Sequence, residues 1–346
     1  MSDGRKWLAS ACSNIALIKY MGKVKGNQPT NMSVSYSLRH LRTYVELTLT
    51  NAVADSWEPL EAWTAEQSAV SVMAENWEAE SALAPAASAP LASFALSEKG
   101  RARFLAHLQM LKEGWGHEGS FIVRSANGFP ADCGLASSAS SFAALTTAAA
   151  LALTDLTRLA RPRARDLAEL SRRGSGSSCR SFFAPWGLWT DQGASAIDLP
   201  YGDLLHQTIV VSDAKKAVSS SAAHARVAAS ALFVGRPERA NLRLGLLISA
   251  LSSRDWKSAY EVSWSEFWDM HALFETCLPP FGYMTAGSIE VASYARDLWS
   301  RVGDGPIVTM DAGANVHFLF RRDQKELFAQ TAHELGARFQ VIASDA

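Results

Sequence analysis

Three short segments of this sequence carry side chains that could move a proton or hold an anion. Lys19 and Lys23 lie four residues apart beside a glycine and could bracket a polyanion, although the solvated ends of a strand have the same composition. Arg180 follows a Gly/Ser-rich turn and offers a two-pronged grip on a carboxylate or phosphate; a surface arginine after a helix cap is the alternative. Asp311 stands in a tight Asp-Ala-Gly-Ala-Asn turn, where an acid is often only a turn former.

Residues 128–141, rich in Gly, Ala and Ser, have the composition of an anion-binding turn. They follow a β-type run at 120–125 and open into an Ala/Leu-rich helix at 142–153. The first amides of a helix are unpaired and carry the positive end of its dipole, so a phosphate is a suitable ligand there. A capped helix after a polar turn is the alternative. No Gly-Lys-Ser or Gly-Lys-Thr follows, which argues against an ordinary P-loop NTPase.

Hydroxyl groups alternate along residues 33–37. A strand would place Ser33, Ser35 and Ser37 on one face. That face is either simply solvated or lines a site.

Hydrophobic patterning predicts the elements that must position these groups. Apolar, β-like runs predict strands at residues 7–20, 42–50, 182–190, 207–211, 307–310 and 316–320. Helical spacing occurs at residues 101–114, 164–173, 222–233, 238–251, 255–276 and 288–301. Residues 51–98 have a weak pattern and are predicted to form a variable, partly loop-like insertion. Strands and helices mix without strict alternation, which favours an α+β fold over a doubly wound sheet.

Length, charge and composition limit which classes of protein this chain can belong to. A length of 346 residues suggests about two domains, and the turn at 200–203 suggests the boundary between them. A net charge of −1 gives no reason to expect nucleic acid as a partner. The absence of an apolar run of about 20 residues, and of an apolar leader at the N-terminus, predicts a soluble cytoplasmic protein.

The cysteines do not suggest a metal site. Cys12, Cys133, Cys179 and Cys277 are far apart and have no zinc-type spacing, so reduced thiols are expected.

Taken together, six motifs resemble those of the mevalonate diphosphate decarboxylase family, part of the GHMP kinase superfamily. They occur in the family order at residues 14–23, 29–35, 129–139, 174–181, 215–220 and 311–315. Independent turns would not reproduce this order, whereas the Gly/Ser loop alone would indicate only the superfamily.

The resemblance implies a GHMP kinase fold with a cleft between two domains. The expected domains are a ribosomal-S5-like, nucleotide-binding domain at residues 1–200 and a ferredoxin-like GHMP domain at residues 201–346. Family members use ATP and Mg²⁺ to phosphorylate the 3-hydroxyl of mevalonate 5-diphosphate, then release phosphate and carbon dioxide to give isopentenyl diphosphate. Dimers are common in the family, so a homodimer is expected. Similar relatives act on mevalonate 5-phosphate or stop at phosphorylation, and both remain alternatives.

The resemblance also implies roles for particular residues. The expected catalytic residues are Asp311, Arg180 and Lys19. ATP phosphates are expected at Gly134, Ala136, Ser137 and Ser138. Substrate is expected at Tyr20, Lys23, Ser175, Ser177, Arg180, Ser220 and Lys215, and no side chain is assigned to a metal.

This sequence departs from the family pattern at several positions. Met21 replaces the usual Trp and Ala314 the usual Pro. The run from Ser221 to His224 stands where the family continues with Arg or Thr and then Gly-Met. Substrate contacts near the 5-phosphate chain are therefore expected to differ.

Overall fold

The structure is a computed structural model that describes residues 5–24, 27–62, 70–78, 91, 96–129, 137–214 and 216–345. Gly134, Ala136, Lys215 and Cys133 lie outside these residues, as does much of the predicted insertion at 51–98.

The N-terminal half builds a seven-stranded sheet. Its strands are β1 (Lys6–Ile18), β2 (Ser33–Thr50), β3 (Ser56–Pro59), β4 (Val70–Met73), β5 (Ser120–Asn127), β6 (Trp186–Thr190) and β7 (Gly193–Ala196). The order is β3-β5-β2-β1-β4, with β6 paired to β2 and β7 to β6. Every residue of β1 after Lys6 is buried, because its apolar and small side chains are covered on both faces.

Among the described residues, the α-helices of this half are α1 (Glu98–Trp115), α2 (Ser137–Thr157) and α3 (Ala164–Gly174). The alanines of α2 let it pack closely against β1 and β2. By length and composition α2 could also cross a membrane, but 72% of its most apolar window is buried inside the fold. It is the core helix of this half.

The C-terminal half contains a four-stranded sheet with helices packed against it. Its elements are β8 (Leu205–Val210), α4 (Ser220–Arg226), α5 (Arg236–Ser252), α6 (Trp256–Thr276), α7 (Ala286–Val302), β9 (Ile307–Met310), β10 (Val316–Phe320), α8 (Lys325–Gly336) and β11 (Gln340–Ala343). The sheet order is β11-β8-β10-β9 and all of its pairs are antiparallel. The predicted boundary near residue 200 falls between β7 and β8 and stays a prediction.

One apolar core joins the two halves. Ile15 and Val34 of the first sheet belong to the same buried cluster as Leu247 of α5, Phe267 of α6 and Phe318 of β10. The Thr309 hydroxyl on β9 donates a hydrogen bond of 3.1 Å to the Ala16 carbonyl on β1. The ends of β1 and β9 therefore lie side by side.

A chain of three histidines crosses the same junction. His206 on β8 lies 3.1 Å from His40 on β2 and 3.0 Å from His317 on β10, measured between ring nitrogens. His206 and His317 are buried and His40 is half-buried.

Three predicted elements differ in the structure. The strand predicted at 182–190 begins only at Trp186, because a 3₁₀ helix extends to Phe182. Residues 33–37 and 42–50 belong to one strand, β2, with an irregularity where the β1 partners change from Arg42 to Leu38. The helix predicted at 222–233 is wrong beyond Arg226, because the chain is extended at Ser230 and the Ser230 hydroxyl caps a separate turn by accepting from the Leu232 amide. Cys12, Cys179 and Cys277 are free and buried, as predicted.

Candidate active site

Asp311 and Lys19 meet where β9 and β1 end. Asp311 directly follows β9, and Lys19 directly follows β1. The Lys19 ammonium donates to the Asp311 carboxylate at 2.8 Å. The Lys19 side chain is only 2% exposed, whereas that of Asp311 is 30% exposed. The pair thus presents its carboxylate, and not its ammonium, to solvent or a ligand.

Electrostatics keep this carboxylate ionised. Burial alone would raise the pKa of Asp311, but the charge and hydrogen bond of Lys19 outweigh burial and hold that pKa below its ordinary value. For Lys19 burial is the larger effect and lowers its pKa despite Asp311. Asp311 is therefore available as a proton acceptor at neutral pH.

Helix α6 holds the backbone of both residues. Glu266 accepts a hydrogen bond of 2.9 Å from the Lys19 amide, and the His271 ring nitrogen Nε2 lies 3.2 Å from the Asp311 carbonyl oxygen. Asn31 donates to the Lys19 carbonyl at 3.0 Å. These contacts fix where the ion pair forms.

Arg180 is buried, with 3% of its surface exposed, so it is not the surface arginine that the sequence allowed. Its Nε donates to the Ser35 hydroxyl at 3.1 Å and its Nη1 to the Ser33 hydroxyl at 2.9 Å. All three alternating serines of β2 are buried, and two of them hold Arg180, so they are not a solvated face. Within the described ranges no carboxylate lies within 4.0 Å of this guanidinium. A buried cation without an acidic partner is suited to an anionic ligand.

Tyr20 packs against the segment that carries Arg180. Its ring packs against Gly176, where an added Cβ would approach the ring to 2.8 Å. Its other neighbours are the rings of Trp189 and His224, with centroids 4.8 and 4.3 Å away. Glycine at 176 therefore lets the 174–181 motif close onto Tyr20.

The two serine segments also converge. The Ser175 and Ser138 hydroxyls are 3.5 Å apart, which brings the first turn of α2 beside the turn that leads to Arg180. Ser137 begins α2, and Ser177 is half-buried in the same turn as Arg180. Ser220 is exposed at the start of α4.

Lys23 lies three residues beyond Tyr20 and is half-buried. Its ammonium donates to the Ser221 hydroxyl at 2.9 Å and to the Asn27 side-chain carbonyl at 3.1 Å. No acidic side chain in the described part of the chain forms an ion pair with it. Lys23 is thus a second cation open to an anion.

Sequence reasoning missed several residues that the fold places at this site. Lys216 donates to the Ala312 carbonyl, and its charge helps to hold the pKa of Asp311 down. It stands next to Lys215, so the lysine doublet was the available signal. Glu266 and His271 lie in a helical segment with no motif, and no local signal identifies them. His224 could be recognised only as a departure from the family pattern.

Both halves of the chain match family models. The model of the diphosphomevalonate decarboxylase-like N-terminal domain matches residues 11–198, and that of the mevalonate 5-diphosphate decarboxylase C-terminal domain matches residues 207–341. The Saccharomyces cerevisiae diphosphomevalonate decarboxylase is 30% identical over 91% of this chain and 78% of its own length.

Solved structures agree with these matches. A mevalonate diphosphate decarboxylase from Legionella pneumophila is 44% identical, with a TM-score of 0.84 over 97% of this chain and 100% of that one. A structure of MDDEF in complex with MVAPP, AMPPCP and magnesium is 27% identical, with a TM-score of 0.79 over 98% of this chain and 96% of that one. The predicted α+β GHMP kinase fold is confirmed, and this chain belongs to the diphosphomevalonate decarboxylase family.

Proposed function

We propose that this chain uses ATP to phosphorylate the 3-hydroxyl of mevalonate 5-diphosphate and then releases phosphate and carbon dioxide to form isopentenyl diphosphate. The observation that carries the proposal is the ion pair of Asp311 with Lys19, together with a buried Arg180 whose guanidinium has no acidic partner within the described ranges. The reaction needs an acceptor for a hydroxyl proton and a cation for a carboxylate.

Asp311 is proposed to act on the reacting hydroxyl. An aspartate with a pKa near about 3.9 is too weak a base to remove the proton of a tertiary alcohol before reaction. It instead orients the hydroxyl and accepts its proton as the oxygen bonds to phosphorus, in a loose transition state where positioning dominates. When phosphate leaves C3, the electron pair of the bond between C2 and the carboxyl carbon forms the new double bond.

Arg180 is proposed to orient the substrate carboxylate during that second step. Ser33 and Ser35 occupy its Nη1 and Nε donors. The two serines thereby fix the plane of the guanidinium. Its remaining Nη2 donors are available to the carboxylate. Carbon dioxide then departs in a defined direction.

The remaining assignments concern phosphate groups. Ser137 and Ser138, with Gly134 and Ala136 outside the described residues, are proposed to hold ATP. Tyr20, Lys23, Ser175, Ser177, Ser220 and Lys215 are proposed to face the substrate. Among the described residues no three His, Cys, Asp or Glu side chains form a metal cluster. Mg²⁺ would enter on the phosphates of ATP, retain waters and neutralise phosphate charge there.

The test is an incubation with MgATP and, in turn, mevalonate, its 5-phosphate and its 5-diphosphate. We expect stoichiometric ADP and carbon dioxide with the 5-diphosphate. ADP without carbon dioxide would identify a kinase. Carbon dioxide from the 5-phosphate alone would identify mevalonate 5-phosphate as the substrate.

We also infer a homodimer in the cytoplasm. Family membership supports both inferences, and Leu242 and Leu246, one turn apart on α5, are 67% and 51% exposed. Light scattering of the purified protein would show a mass of two chains if the first inference is correct.

A further inference from the structure

His224 on α4 contacts residues of the candidate site through both its ring face and one ring nitrogen. Its ring lies against the Tyr20 ring, with centroids 4.3 Å apart at 37°. Its Nδ1 accepts a hydrogen bond of 3.1 Å from the Gly22 amide. Gly22 has φ +90°, and an added Cβ would come within 3 Å of Phe233 and Thr30, so a glycine is required to aim this amide.

The Gly22 contact determines where the imidazole proton resides. A neutral imidazole has one donor and one acceptor nitrogen, and Nδ1 accepts from an N–H, so Nε2 carries the proton. Burial, with the nearby charges of Lys23 and Arg180, lowers the pKa of His224 to about 4, so the ring is neutral at pH 7. The ring is half-buried, and among the described residues Nδ1 is the nitrogen that forms a hydrogen bond, which leaves Nε2 open to a ligand.

This free donor lies beside two other groups suited to an anion. Lys23 donates to the Ser221 hydroxyl at 2.9 Å, and no described carboxylate balances its charge. Ser221 precedes His224 by three residues on α4, about one turn along the same face, and Lys23 directly follows Gly22, whose amide holds the ring, so the three groups lie together. An ammonium, a hydroxyl and an imidazole N–H together fit a group with several acceptor oxygens, such as a phosphate.

The position of this trio in the cleft indicates which phosphate it receives. The chain runs from Lys19, buried beside Asp311, outward through Tyr20 to the partly exposed Lys23 and the exposed Ser221. A substrate whose hydroxyl meets Asp311 and whose phosphate chain extends toward Lys23 therefore has the far end of that chain beside the exposed Ser221.

We propose that His224 donates its Nε2 proton in a hydrogen bond to the terminal phosphate of the substrate and thereby favours the 5-diphosphate over the 5-monophosphate. The inference rests on the proposed function, because it assumes that the reacting hydroxyl lies at Asp311.

Two substitutions separate the donor from the structural contact. Asparagine in His224→Asn can still accept from the Gly22 amide but has no group at the position of Nε2. Glutamine in His224→Gln carries an amide nitrogen at about that distance. We expect His224→Asn to raise KM for mevalonate 5-diphosphate by about ten- to hundredfold, the range for losing a hydrogen bond to a charged group. The KM for ATP, kcat, and use of the 5-monophosphate should change little, and His224→Gln should recover part of the loss.

The matched control is His333→Asn, an exposed histidine on α8, which should leave all these constants unchanged. An unchanged KM for the 5-diphosphate in His224→Asn would overturn the inference, and so would equal losses for both phosphates. In ¹⁵N spectra of the wild type, His224 should appear as the Nε2–H form, and its Nε2 signal should shift when mevalonate 5-diphosphate is added without ATP. A Nδ1–H form would also overturn it.

Calorimetry of mevalonate 5-diphosphate binding without ATP separates this inference from the proposed function. If the wild type released no carbon dioxide but bound the 5-diphosphate at least tenfold more tightly than His224→Asn does, the proposed function would fail and the His224 contact would stand. Equal affinities, with carbon dioxide released, would support the proposed function and overturn the His224 contact.

Discussion

At the scale of single residues, the charge of Asp311 is the feature on which the proposed chemistry depends. Asp311→Asn keeps the shape of the side chain but removes the proton acceptor and leaves Lys19 without its anion. We expect turnover to fall by roughly 10²–10⁴ while ATP still binds, the range for losing a positioned acid or base. Single-turnover measurement of ADP and carbon dioxide would check this.

The control for this prediction is Asp191→Asn, in the exposed turn between β6 and β7. It should retain full activity. Near-normal phosphoryl transfer in Asp311→Asn would remove Asp311 from the chemistry, provided that thermal unfolding shows a folded protein.

Arg180 gives a second prediction at this scale. Arg180→Lys keeps the positive charge but loses the planar fork that two serines of β2 hold in place. We expect kcat/KM to fall at least about tenfold, or about 1.4 kcal/mol. Arg158→Lys, at an 80% exposed side chain, is the matched control. A tenfold loss in both variants, or in neither, would show that the planar guanidinium of Arg180 does not orient the substrate.

The candidate functional residues could be predicted from the sequence, but their hydrogen-bond partners could not. Asp311 and Arg180 stand out because of the turns around them. The Arg180 contact with Ser35 joins residues 145 positions apart in the chain. No local pattern could tell a serine stripe that holds an arginine from one that faces water.

At the scale of elements, helix α6 fixes the position of the end of strand β1. Glu266 on α6 is fully buried and pairs with the fully buried Arg236 while accepting from the Lys19 amide. We expect Glu266→Gln to lower the free energy of unfolding by about 3 kcal/mol, because it leaves a buried guanidinium without its full counter-charge. Urea unfolding would measure the change.

Glu261→Gln, at an exposed position on the same helix, provides the comparison and should be close to neutral. If the two variants were equally stable, the network would not hold the end of β1.

Elements with a strong hydrophobic period were predictable from the sequence. Element ends that depend on a single side chain were not. Strands β9 and β10 have the bounds that their apolar runs predict, because both are fully buried. The helical pattern at 222–233 fails because the Ser230 hydroxyl captures the Leu232 amide. Helix α8 and strand β11 near the C-terminus were not predicted.

At the scale of the whole molecule, buried histidines link stability to pH. Burial lowers the pKa to about 4 at His40, His107, His224, His271 and His317. In an unfolded chain these rings titrate near about 6.5, so between those values the unfolded state binds more protons. The free energy of unfolding is therefore highest above about pH 6.5 and falls as the pH drops toward 4, by up to about 1.4 kcal/mol per pH unit for each ring.

Urea unfolding at several pH values from 7.5 to about 4.5 would measure this slope. A flat profile would mean that these rings are protonated in the folded protein. Replacing exposed His333 with Asn should leave the slope nearly unchanged.

The apolar cluster that contains both Ile15 and Phe318 restricts how this enzyme can be divided. Cutting the gene between β7 and β8 would leave each product with a freshly exposed hydrophobic face. We expect either fragment, expressed alone, to aggregate, whereas co-expressed fragments should reassociate into an active pair. Chimeras with a relative will then need exchanges on both sides of this junction, because residues of both halves form the shared cluster.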